Sequence, residues 1–152
     1  MKIKIIALIL IVTLLSNCGY KPIYSSNISS IRINNIEMEQ NVLNNKIAND
    51  LAKIYSDNNA EREIDITISS NKVIEIKSKD QKGDPAIYEL IISVSIKINN
   101  DEKNYKEGFF KEKITFNNIN DKFQLSQYQM NLENNLVKKI IERILIYLSE
   151  NT

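Results

Sequence analysis

Residues 86–98 constrain the fold more than any other stretch. Ala86, Tyr88, Leu90, Ile92, Val94, Ile96 and Ile98 share one parity, while Glu89, Ser93, Ser95 and Lys97 dominate the other. A pleated strand sends alternate side chains to opposite faces, so this pattern specifies a strand with one face in a core and one face wet. Residues 64–77 repeat it, with Ile64, Ile66, Ile68, Ile74 and Ile76 opposed to Asp65, Thr67, Ser69, Asn71, Glu75 and Lys77. Lys82-Gly83-Asp84-Pro85 links the two strands, and Asn99-Asn100-Asp101 begins the link to a third, so both connections read as hairpin loops. The third strand, over about 104–116, keeps Phe110, Ile114 and Phe116 on one parity. Phe109 and Glu112 break its alternation, and a bulge near Gly108 is the expected cause. An antiparallel meander results, with 86–98 as its central strand.

Two helical patterns flank this meander. Ile31 and Ile33 alternate with Arg32 and Asn34 in a weaker strand over 30–36. From Asn41 the period changes, because Val42, Leu43, Ile47, Leu51, Ile54 and Tyr55 recur at three- and four-residue steps. That helix ends near Ser56, where Asp57-Asn58-Asn59 supplies turn chemistry. After a polar loop, Ser126 and Gln129 form a capping box with Leu125 and Met130 as its hydrophobic staple, so the last helix is expected to begin there. Tyr128, Leu132, Leu136, Ile140, Ile144 and Leu148 continue at four-residue steps over about 22 residues, roughly 33 Å of helix. The predicted class is α+β: a four-stranded mixed or antiparallel sheet covered on one face by two helices, in the order β-α-β-β-β-α, as a single domain over 30–152. The other sheet face stays wet and open, and is the natural place for a partner or ligand.

The N-terminus carries an address. Lys2 and Lys4 precede an apolar run over 5–15 interrupted only by Thr13, the order of a secretory signal. The run is too short to span a bilayer. Leu15, Ser16 and Asn17 then lead to Cys18, the order of a bacterial lipobox, although Asn17 stands where Gly, Ala or Ser is usual. Residues 1–17 are accordingly expected to be a cleaved lipoprotein signal peptide and 18–29 a lipid-anchored tether. Diacylglyceryl and N-acyl groups would sit on Cys18, two or three chains holding firmly where one would not. The alternative is an ordinary signal followed by a free or buried cysteine. Against it, an exported lone thiol has no partner within the chain. Gly19, where an Asp would favour inner-membrane retention, makes the outer membrane the expected address.

Composition excludes more than it specifies. Removing Lys2 and Lys4 from 20 basic residues leaves 18 against 19 acidic ones, so the mature chain is nearly neutral and has no nucleic-acid footprint. There is no histidine, and acylation would use the one cysteine, so the commonest general base and metal ligand and the only thiol nucleophile are missing. No enzyme, cofactor or metal site is expected. Carboxylate pairs such as Asp65 and Glu75, or Glu107 and Glu112, read more simply as solvated strand faces.

The run Cys18-Gly19-Tyr20-Lys21-Pro22-Ile23-Tyr24 resembles the start of the shorter members of the lipopolysaccharide-assembly lipoprotein family, LptE. The pattern around Ile141-Glu142-Arg143-Ile144-Leu145 is similar to that family's last helix. The resemblance implies a non-enzymatic outer-membrane lipoprotein that plugs the LptD β-barrel and assists lipopolysaccharide assembly at the cell surface. A barrel lumen is polar, and a plug with wet faces around a compact core suits it. Phosphorylated glycolipid would be met by lysines through charge-assisted bonds; the first candidates are Lys77, Lys79 and Lys82, then Lys97 and Lys106. Two other readings stay open. One is an auxiliary lipoprotein of an ABC-type lipid or solute transporter. The other is a small anchored hydrolase, which requires two acidic side chains to converge in a pocket.

Overall fold

The structure is a computed structural model, and it describes residues 31–56, 60–101 and 104–151. The signal, Cys18, the tether and the turn at 57–59 lie outside the described residues.

Strand β1, Ile31–Met38, is followed by helix α1, Val42–Ile54. The meander of β2 (Arg62–Lys79), β3 (Pro85–Asp101) and β4 (Asn104–Asn117) leads to helix α2, Lys122–Asn151. The strands lie in the order β1-β2-β3-β4. β1 pairs parallel to β2, while β2–β3 and β3–β4 are antiparallel, so the sheet is mixed. The parallel pair follows from connectivity: a helix between two neighbouring strands returns the chain to the same end of the sheet.

The core lies between the sheet and the helices, where the sequence patterns place it. Leu90, Ile92, Val94, Ile96 and Ile98 of β3 are buried, as are Ile64, Ile66 and Ile68 of β2. Leu43, Ile47, Ala48 and Leu51 of α1 pack with them, as do Leu132, Leu136, Val137, Ile140, Ile141, Ile144 and Leu148 of α2. Each fully buried Ile or Leu contributes roughly 1.5–3 kcal/mol. Tyr55, just past α1, is buried too; its hydroxyl has no hydrogen-bond partner among the described residues, and desolvation pushes its pKa up to about 12.

Polar side chains fix the helix starts. Asn41 is the N-cap of α1, with extended backbone and a side-chain oxygen accepting from the Asn44 N–H at 2.7 Å. Buried Asn44 donates to the Glu39 carbonyl at 2.8 Å and accepts from Ser70 Oγ, which pins the start of α1 over the middle of β2. α2 begins at Lys122, ahead of the Ser126–Gln129 capping box. Asp121 Oδ1 accepts from the N–H groups of Phe123 (2.8 Å) and Gln124 (3.1 Å), so a nearer acidic cap prevails and extends the helix to 30 residues. At roughly 45 Å it packs along β4 and β3.

The bulge expected near Gly108 is also corrected: β3 and β4 pair without a shift from Ile87↔Asn117 to Asn99↔Tyr105. Gly108 serves a close approach. A Cβ built there would sit 3.0 Å from ring atoms of both Phe110 and Tyr147, which meet edge to face at 5.7 Å. The alternation breaks in polarity only. Phe109 points to the open face, while Glu112 faces inward beside α2 and pairs with Arg143 at 2.8 Å.

Candidate functional surfaces

Two surfaces carry side chains that the core does not use. The first is the open face of the sheet. Register places Glu75 of β2 directly opposite Glu89 of β3, with Lys77 and Lys113 on either side. Glu89 is only 6% exposed although no helix among the described residues covers this face, because the lysines close over it. Lys77 Nζ lies 2.9 Å from Glu89 and 3.7 Å from Glu75; Lys113 Nζ lies 3.7 Å from Glu89. The hydrogen bond from Lys77 holds the Glu89 carboxyl below the usual range, and the same bond raises the Lys77 ammonium. Further along the face Tyr105 and Phe109 are exposed, Phe109 by 65%, and Lys97 lies over the Tyr105 ring at 5.4 Å.

The second surface is an apolar corner on the helix side. Lys72 and Lys46 rim it, paired respectively with Glu133 at 2.9 Å and with Asn134. Val42, Ile74, Leu90 and Met130 line a cleft of about 510 Å³ between the start of α1 and the flank of α2. A second hollow of about 290 Å³ adjoins it beside Ser70 and Asn71. Both volumes fall near or within the range of small-molecule sites, roughly 300–1,000 Å³.

Lys77, Lys79 and Lys82 lie at the β2–β3 hairpin end of the sheet, whereas Lys97 and Lys106 lie toward the opposite end. Lys77 is drawn onto Glu89, Lys79 ends β2, and Lys82 sits in the hairpin turn, where its backbone N–H donates to Asp80 Oδ1 at 2.8 Å. The side chains of Lys79 and Lys82 are exposed and have no partner among the described residues. Lys106 caps the end of α2, donating to the Asn151 carbonyl at 2.8 Å, where a cation suits the helix dipole. The carboxylate pairs do not meet. Asp65 and Glu75 are ten residues apart on β2, and Glu107 and Glu112 point to opposite faces of β4. The pair that does meet, Glu75 and Glu89, is visible in sequence only once the hairpin register is known. No group of acidic, cysteine or histidine side chains able to hold a metal occurs among the described residues. None of the described helices is long and apolar enough to cross a membrane.

No protein-family model matches the sequence, and no curated protein matches it. Solved structures do match the fold. Rare lipoprotein B from Shewanella oneidensis is similar at a TM-score of 0.55 and 14% identity, over 77% of this chain and 95% of that one. A putative lipoprotein from Caulobacter crescentus gives 0.60 and 12%, over 84% and 93%, and a minor lipoprotein from Acinetobacter baumannii gives 0.59 and 11%, over 81% and 92%. The fold is therefore the one shared by these lipoprotein structures.

Proposed function

We propose that the chain is a non-enzymatic outer-membrane lipoprotein, anchored by acyl groups on Cys18, that partners an LptD-type β-barrel as its plug and assists lipopolysaccharide assembly. The observation that carries this reading is a shared fold over most of the chain with lipoproteins, in a sequence whose lipobox-like run leads directly into Cys18-Gly19-Tyr20-Lys21-Pro22. The open sheet face suits a polar lumen wall, with hydrogen-bonding side chains interrupted by Tyr105 and Phe109. Glycolipid phosphate is assigned to Lys77, Lys79 and Lys82. Lys79 and Lys82 offer ammonium groups without partners among the described residues, whereas Lys77 must exchange Glu89 for phosphate.

Affinity purification of the tagged full-length protein from outer membranes in mild detergent tests the partnership. A large β-barrel in equal amount supports it; inner-membrane transporter subunits overturn it in favour of an ABC-type auxiliary lipoprotein. The site has its own test. Replacing Lys77, Lys79 and Lys82 together by Ala is expected to weaken lipopolysaccharide binding with the circular dichroism spectrum unchanged, and unaltered binding by the folded variant sinks the assignment.

A further inference from the structure

β1 accompanies β2 only from Ile31↔Arg62 to Met38↔Ile68. β2 continues to Lys79, paired with β3 on one side and with nothing on the other among the described residues. The first irregularity of the β2–β3 ladder falls between Ile76 and Ser78, so residues 70–76 form a regular free edge, roughly 23 Å long. The apolar corner lies beside that edge: Ile74 and Ile76 are 42% and 50% exposed on the face where Ile66 and Ile68 are buried, and Val42 and Met130 are exposed with them.

We infer that this edge and corner dock an extended segment of a partner protein, which adds to the sheet as a strand in line with β1. Unpaired backbone donors and acceptors next to an apolar strip call for an occupant that satisfies both. A strand with apolar residues on one parity does so, whereas an acyl chain leaves the amides unpaired. Charge defines the occupant further. Lys46 and Lys72 rim the corner, Lys72 already paired with Glu133, while Lys79 and Lys82 stand at its end without partners among the described residues. The segment is therefore acidic at the end that meets Lys79 and Lys82. The inference rests on the sheet alone and stands or falls separately from the barrel reading.

The test uses the full-length protein in detergent and a synthetic peptide, acetyl-Asp-Asp-Val-Thr-Val-Thr-Val-Asp-Asp-amide, with a control in which the central Val is Pro. Hydrogen exchange of residues 70–76 is expected to slow at least tenfold with the first peptide and to be unchanged with the second. Replacing the exposed Ile74 and Ile76 by Lys is expected to leave the circular dichroism spectrum unchanged and to abolish the protection. Unchanged exchange at saturating peptide overturns the proposal, as does equal protection by the Pro control. Protection, without peptide, of the amides in 70–76 that point away from β3 also overturns it, because the edge is then occupied by this chain's own N-terminal segment or by a second copy.

Discussion

The two halves of β2 carry the same alternation of isoleucine with polar residues and have different fates. Ile64, Ile66 and Ile68 are buried under α1 and flanked by β1, whereas Ile74 and Ile76, on the same face and of the same type, remain largely exposed. The strand is continuous through both halves. What differs is the cover, because α1 starts at Val42, held over Ser70 by Asn44, and leads away from the second half. A period-two pattern thus specifies which face is apolar, while the reach of the neighbouring elements decides whether that face is buried.

The comparison breaks first on core substitutions. Ile66→Ala is expected to cost about 2–5 kcal/mol by urea denaturation, since it opens a cavity under α1. Ile76→Ala is expected to cost less than about 1 kcal/mol. Equal losses would mean that the second half is covered in solution. Gly108→Ala probes the packing of α2 on β4: the added methyl meets the Phe110 and Tyr147 rings, and α2 must shift or the rings must turn, at about 1–2 kcal/mol.

Element order, the apolar parity of each strand and the stripe of α2 were legible in the sequence because periodicity is a local property. Four features were not. Asp121 displaced the Ser126–Gln129 box because two possible caps five residues apart compete, and the earlier one wins when the intervening turn can join the helix. Gly108 read as a bulge because a glycine's role in a helix-to-sheet contact depends on Tyr147, 39 residues away. The engagement of Lys77 with Glu89, and the bare edge beyond Met38, both depend on register, which no single strand encodes.

The start of α2 gives a smaller effect. Asp121→Ala is expected to cost about 1 kcal/mol and Ser126→Ala to change stability by less than about 0.5 kcal/mol, measured by thermal or urea unfolding. The reverse ranking would restore the later start and leave Phe123 outside the helix.

The smallest effect concerns what steadies the uncovered half from behind, the network of Glu75, Lys77, Glu89 and Lys113. Glu89 has its carboxyl lowered from 4.5, first by the Lys77 hydrogen bond, so its contribution is present above that pH and is lost as pH falls through its depressed value. Lys77 is raised from 10.5, mainly by the same bond, so its contribution is present below that pH and is lost as pH rises through its raised value. Stability from the pair is therefore a plateau between the two, trimmed by the exposure of the lysines. Glu89→Gln is expected to flatten the fall in stability below pH 4.5 relative to the wild type, as measured by urea unfolding across pH. Parallel profiles would mean that the network contributes nothing, leaving the distal half of β2 held by its pairing with β3 alone.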